Sequence, residues 1–346
     1  MDTLTHYVGL DYHQNSLQVC IMDQQANIQC NRRIDNDLVS LLPLLHRAGG
    51  VSKIAIEACE GAAQLGEALA QAGSASGASG ASGGGGWTVE LAHPLYVNKL
   101  KGSTDKTDAG DAKLLADLSR VGYLPKVWLP CKSIRALRQL VNHRQRLVND
   151  RKAIKLRVGA ILRQQGVKIQ GTRWSKAWLN ALANESCLDE SSHWLIDELL
   201  AELTFISQRI DTVCKRLKQQ TAEDAVVKKL LQIEGIGPVT AWALRASIGR
   251  FDRFKKAKQL CRYCGLSPRN TASGERQTTG SLVGGVDRSL RALLIEAAHR
   301  LVRTVPRWRG LCEQLMRRGK RKNVAVAAVA NRWLRTVHHR MMVVCD

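Results

Sequence analysis

Seven apolar residues, Ile196, Leu199, Leu203, Ile206, Ile210, Val213 and Leu217, recur at alternating spacings of three and four without a miss. That spacing places all of them on one stripe of a helix. The helix is roughly 30 Å long at 1.5 Å per residue, and the stripe needs a partner to cover it. An earlier stretch, Ile134 to Leu162, supplies a candidate. Leu140, Leu147, Ile154 and Ile161 repeat there every seven residues, with Leu137 and Val158 in the companion seam, while Arg144 and Arg151 interrupt it. Two such helices pair either as an antiparallel hairpin within one chain or between chains in an oligomer. The pattern leaves both open.

The first third reads differently. Tyr7 to Asp11, Leu17 to Ile21, Lys53 to Glu57 and Thr88 to Leu91 have the short apolar or alternating runs of strands, and Ala62 to Ala72 has a helical pattern. Strands alternating with helices predict a mixed sheet flanked by helices. Ser74 to Gly86 contains only Ser, Ala and Gly. Such a segment buries too little surface to order itself and reads as a flexible insertion in a loop that carries no chemistry. The last third is expected to be all helix. Within it, Ile233-Glu234-Gly235-Ile236-Gly237-Pro238-Val239 has the form of a helix-hairpin-helix turn, with Pro238 in the first turn of the second helix. Free N–H groups at such a helix start can hold a phosphate.

Charge narrows the partners. The 52 Lys and Arg exceed the 30 Asp and Glu by 22, and an excess of this size favours a polyanion, because neutralised phosphates release counterions. Membrane is the competing polyanion, but no apolar run approaches 20 residues and no signal peptide is evident. The 45% hydrophobic content also exceeds what a packing protein of ribosomes or chromatin usually carries. Nucleic acid is the expected partner, the cytoplasm the expected location, and the ten scattered cysteines are expected to be free thiols. Cys261 and Cys264 form a lone Cys-x-x-Cys pair without a second pair at zinc-site spacing, and both read as packing residues.

Four carboxylates stand at element ends. Asp11 closes the first strand, Glu57 closes the strand that begins near Lys53, and Asp108 and Asp111 lie three apart at a helix start. Side chains three apart share one helix face. Acids from two strand ends and one helix can meet at a sheet edge, and like charges that meet there need cations between them. Two Mg2+ ions, with Mn2+ as the substitute, would suit a phosphodiester substrate.

Gly9-Leu10-Asp11-Tyr12-His13, Ile56-Glu57-Ala58-Cys59, His93-Pro94 and Lys106-Thr107-Asp108-Ala109-Gly110-Asp111-Ala112 occur in the order found in DEDD transposases of bacterial insertion sequences. Leu230 to Gly237, Cys264-Gly265-Leu266-Ser267-Pro268-Arg269 and Ala272-Ser273-Gly274 continue that resemblance, which covers nearly the whole chain outside the Ser/Ala/Gly segment. The resembled proteins are related to the pilin-gene invertase and have an RNase H/RuvC-like N-terminal domain. The resemblance implies Asp11, Glu57, Asp108 and Asp111 as metal ligands and Ser273 as a nucleophile that holds a DNA end covalently. It also implies donor and target DNA as substrates and a structured guide RNA that pairs with both. Glu57 is preferred over Glu60, because it directly follows the apolar strand and fits the family's Glu-Ala pattern; Gln14 stands where many members have lysine. Arg269 and Arg276 are our candidates for stabilising charge on the phosphate. The basic helix, with Arg135, Arg138, Arg144, Arg146, Arg151, Lys152, Lys155 and Arg157, suits a surface that grips nucleic-acid backbone, as do Arg317, Arg318, Lys320, Arg321 and Lys322 near the end.

The expected organisation is a RuvC-like α/β catalytic domain over 1–125, a basic helix and coiled coil over 126–222, and a helical domain over 223–346 that carries the serine. A dimer or tetramer through the coiled coil is the expected assembly, and association with the bacterial nucleoid is the expected working location. The competing readings are a metal-dependent endonuclease or Holliday-junction resolvase that uses water, and a non-catalytic RNA-binding scaffold.

Overall fold

A computed structural model describes residues 5–77, 86–101, 107–273 and 276–342, without the side chains of 75–77, 270–273 and 276–279. The chain divides into two compact units, Met1–Leu129 and Pro130–Asp346.

The first unit is built on a six-stranded sheet in the order β3-β2-β1-β4-β5-β6. Its strands are β1 (His6–Tyr12), β2 (Ser16–Met22), β3 (Ile28–Asp35), β4 (Val51–Glu57), β5 (Thr88–Ala92) and β6 (Lys126–Val127). The first three form an antiparallel meander, β1, β4 and β5 run parallel, and β6 returns antiparallel to β5. Alternation along the strands divides the core. Val8, Leu10, Ile54 and Ile56 point to one face, where α1 (Leu38–Ala48) and α2 (Ala62–Gly77) cover them with Leu41, Leu45, Leu65 and Leu69. Gly9 and Ala55 point to the other, beneath α4 (Asp108–Arg120). The short α3 (Pro94–Leu100) follows β5 directly. Helix α2 continues four residues into the Ser/Ala/Gly segment, so that its start is helical rather than a tether; residues 78–85 lie outside the described ones.

Gly9 sets how closely α4 approaches. A Cβ there would lie 2.6 Å from the Ala116 nitrogen and closer still to the Ala112 carbonyl oxygen. Both are backbone atoms, which no rotamer change can move aside. Ala112 and Ala116, fully buried on the facing side of α4, permit the same approach.

In the second unit α5 (Lys132–Gln164) and α7 (Glu190–Gln220) pair within the chain. Leu162 clusters with Ile196, Ile154 with Ile206 and Ile210, and Leu137 with Val213 and Leu217, so the two run antiparallel. The stripe on α7 is thus covered by α5, by α6 (Lys176–Ala183) and by the core beyond. Arg144, which interrupts the seam of α5, is half-buried, and its Nε donates to Cys214 Sγ at 3.2 Å. Arg138 also turns inward, with its guanidinium donating to the carbonyls of Ala246 and Ser247. It fastens α5 to the end of α9 rather than presenting a free cation at the surface.

The remaining helices are α8 (Ala225–Leu231), α9 (Pro238–Ile248), α10 (Ala257–Tyr263), α11 (Arg288–Thr304), α12 (Pro306–Arg317) and α13 (Lys322–Met342). They share a core that includes the large, fully buried Trp333, whose Nε1–H donates to the Glu234 carbonyl at 2.9 Å. The turn between α8 and α9 is the helix-hairpin-helix-like one. Gly235 adopts a φ of +85° there against Leu301, and Gly237 precedes Pro238 at the start of α9. Cys261 and Cys264 are buried thiols in this core, and burial pushes both up. The expectation of an all-helical end needs correction. Strands β7 (Pro268–Ser273) and β8 (Arg276–Leu282) form an antiparallel hairpin. A polar, threonine-containing run on either side of Ser273-Gly274 favours a hairpin over a helix. Among the described residues no helix is long and apolar enough to cross a membrane.

Replacing Gly9 by alanine is expected to lower stability by about 1–3 kcal/mol, the usual cost of overpacking. Urea unfolding followed by circular dichroism measures it; an unchanged midpoint would contradict the close approach of α4.

Candidate metal centre

The register of β1 against β4 pairs Leu10 with Ile56. Asp11 and Glu57, one step further, therefore stand side by side where two parallel strands end. Alternation turns them to the α4 face, opposite to the apolar Leu10 and Ile56. Both carboxylates act on the nearby Cys59 thiol: burial raises it, a hydrogen bond with the Ala62 backbone opposes this, and the charges of Glu57 and then Asp11 raise it further. On the facing helix, the Thr107 side chain accepts from the Gly110 N–H at 3.2 Å and starts α4 at Asp108. Asp108 and Asp111 occupy its first turn, where the positive end of the helix dipole favours anions.

The closest grouping includes a histidine. His13 Nε2 lies 3.3 Å from Asp11 Oδ2 and 3.3 Å from Asp108 Oδ2. The ligand atoms of Asp11, His13 and Asp108 all fall within 4.8 Å of one another. Asp111 stands outside that trio; it is buried and paired with Lys101 Nζ at 2.7 Å. Glu57 is half-buried at the end of β4 and also lies outside it, while Glu60 is exposed in the turn beyond. Burial raises the Asp11 carboxyl above its ordinary range, the His13 charge opposes this, and Asp111 and then Asp108 raise it further. A part-buried acid with two further carboxylates nearby is relieved by a cation, which offsets both the burial and the like charge. The donors are mostly carboxylate oxygens, which suit a hard divalent ion such as Mg2+ or Mn2+.

His13 and Lys101 are the residues that spacing alone did not single out. His13 carries a signal in hindsight: it sits two residues after Asp11, just past the end of β1, and can bend back over the carboxylates. Lys101 has none, since its contact with Asp111 depends on the path of the chain after α3.

The other candidates lie in the second unit. Ser273 ends β7 and pairs in register with Arg276 at the start of β8, so both stand at the tip of the hairpin; their side chains are outside the described ones. Arg269 is exposed near the start of β7. Arg151 is half-buried on α5, and Lys155 Nζ lies 4.7 Å over the Trp174 ring. The first turn of α9 has no side-chain cap.

Comparison with known proteins adds a separate line. A family model described as "Transposase IS116/IS110/IS902 family" matches residues 227–313, and a DEDD transposase model of the IS110 group matches 8–166. A Pseudomonas aeruginosa protein named "Probable family 20 transposase" is 30% identical over 94% of this chain and 93% of its own length. The transposase for insertion sequence element IS1111A of Coxiella burnetii is 25% identical over 86% of this chain and 78% of its own. The pilin gene-inverting protein of Moraxella bovis is 27% identical, over 71% of this chain and 70% of its own.

The raised Asp11 carboxyl has a consequence for stability. A folded-state value above the unfolded one contributes stability at low pH that is lost as pH rises through the folded value. Asp11→Asn removes that loss, so the metal-free variant at neutral pH should melt no lower than wild type and up to a few degrees higher, at about 2–4 °C per kcal/mol. Added Mg2+ or Mn2+ should raise the melting temperature of wild type but not of the variant. Equal shifts in both proteins would place the cation elsewhere.

Proposed function

Because the chain belongs to the IS116/IS110/IS902 family of transposases, we propose that it cuts and rejoins DNA through a serine–DNA intermediate at a DEDD metal centre. The observation that carries this reading is the gathering of Asp11, Asp108 and His13 at the carboxyl end of a parallel strand pair, with Glu57 beside Asp11 and Asp111 on the same helix as Asp108. Asp11, Glu57, Asp108 and Asp111 would hold the divalent ions, which supply charge neutralisation at a phosphodiester and activation of the attacking oxygen.

Ser273 is the nucleophile. Its Oγ–P bond forms as the phosphorus–oxygen bond to the leaving deoxyribose breaks, and that oxygen takes up a proton. Rejoining reverses the exchange, when a hydroxyl on the second DNA displaces the serine. Each step conserves the number of phosphoester bonds, so no external energy source is needed. The tip of a two-stranded hairpin suits the role, since it can project a hydroxyl into a DNA backbone. Arg269 and Arg276 flank it and offer charge to the phosphate. Residues 1–125 act as the RuvC-like catalytic domain, 126–222 as the basic helix and coiled coil, and 223–346 as the domain that delivers the serine. Bringing the serine to the acids requires the two ends to meet, within one chain or between subunits of a dimer or tetramer. Exposed Leu156, Trp194 and Phe205 on α5 and α7 support such an assembly.

The basic face of α5, including Arg151 and Lys155, grips nucleic-acid backbone, and Arg144 supports it from the hairpin seam. A structured guide RNA supplies sequence choice by pairing with donor and target DNA, a division of labour in which protein contacts need not read bases.

Denaturing gels of end-labelled DNA test the chemistry. Wild type should form a protein–DNA adduct that Ser273→Ala abolishes. Asp108→Asn should slow strand cleavage on the order of 10²–10³-fold, the scale of removing one charge-stabilising group. Full recombination by Ser273→Ala would refute the covalent step.

A further inference from the structure

The second unit holds a concentration of positive charge that the catalytic reading does not use. The end of α5, the connection over 165–175 and the start of α6 enclose a groove of about 420 Å3, lined by Arg163, Lys168, Arg173 and Trp178 among others. That volume lies within the range of ligand sites. Among the described residues none of the three cations forms an ion pair. The guanidinium groups of Arg163 and Arg173 both converge on Gly159, with Nη1 atoms 3.5 and 3.9 Å from where its Cβ would be. Two unpaired cations drawn to one point repel each other unless an anion joins them.

Trp178 adds an independent sign. It lines the groove at 2% exposure, and its buried Nε1–H has no acceptor among the described residues. Buried donors are nearly always partnered, so an orphan beside a cation-lined groove points to a missing acceptor. The neighbouring Trp174 has a φ of +71°, which a bulky side chain rarely adopts, and its ring packs tilted against that of Trp178 at 5.1 Å with Lys155 above it at 4.7 Å.

The shape of the charge favours a strand over a small ion. Arg151, Lys155, Gly159 and Arg163 follow one another at intervals of four along α5, a ridge that runs for about 18 Å. A nucleic-acid strand, with a phosphate about every 3.4 Å of helix axis, presents several anions over that length, and a free phosphate presents one.

We propose that this groove is a phosphate site that seats a backbone phosphodiester of a bound nucleic acid, with Arg163, Lys168 and Arg173 as its cations and the Trp178 N–H as its neutral donor. The inference rests on the reading that the chain binds nucleic acid, and it adds a second anchoring point remote in sequence from the acidic centre.

Fluorescence anisotropy with the full chain tests it, using a labelled DNA duplex, a labelled RNA hairpin and inorganic phosphate, over a series of salt concentrations. Arg163→Gln/Arg173→Gln should weaken binding of at least one nucleic-acid probe by about 10-fold or more and reduce its salt slope by about two. Both side chains are exposed, so the circular dichroism spectrum should not change. Trp178→Phe, which keeps an aromatic ring but removes the N–H, should weaken the same probe several-fold and leave the slope intact. A double variant that binds both probes like wild type overturns the proposal. So does one that loses inorganic phosphate binding alone, which would make the groove a small-anion pocket. Wild type that binds neither probe would instead overturn the broader nucleic-acid reading.

Discussion

Helix α4 lies on strand β1 with no side chain between their backbones at Gly9, and the acidic centre depends on that contact. Two of the four carboxylates ride on the helix and two on the sheet beneath it. If α4 stood further off, by the width of even one methyl group, Asp108 and Asp111 would retreat from Asp11 and Glu57, and His13 could not reach both Asp11 and Asp108. The small residues Gly9, Ala55, Ala112 and Ala116 are therefore part of the site in the physical sense, although none carries chemistry. The fold brings together charges that oppose being together. Burial first, and then the charges of Asp111 and Asp108, hold the Asp11 carboxyl above its ordinary range, and a cation is expected to stabilise the unit.

The chain places its two kinds of charge differently. Acids are gathered by elements of one α/β unit, where buried strands fix their positions. Cations are carried along long helices, where many contacts of modest strength suit a repeating polyanion. Among the latter, those facing inward have structural tasks, as Arg138 shows by joining α5 to α9. Counting basic residues on a helix thus overstates the surface available to phosphate, and geometry decides which ones count.

Much of this was legible in the sequence where one physical pattern dominates. The strands that carry Asp11 and Glu57 near their ends announced themselves by apolar runs, and the stripe from Ile196 to Leu217 by its spacing. Other features were hidden for specific reasons. Strand β3 is an edge with mostly exposed polar residues, so it shows no apolar alternation. The β7–β8 hairpin is polar as well, and its neighbours are all helices. The spacing on α5 and α7 could not choose between a hairpin and an intermolecular pair, because both bury the same stripe; the connection through α6 lets the chain close on itself. The contact of Lys101 with Asp111 depends on where the chain runs after α3, which no local pattern encodes.

In the function proposed above, the carboxylates on the two strand ends and the helix surround one place for a divalent ion. Anomalous diffraction from crystals grown with Mn2+ locates such an ion without reference to activity. A strong peak is expected between Asp11 and Asp108, at roughly 2.0–2.3 Å from their oxygens, with Glu57 or Asp111 turned toward it. Density at another group of residues, or none beside Asp11 in crystals saturated with Mn2+, would contradict it.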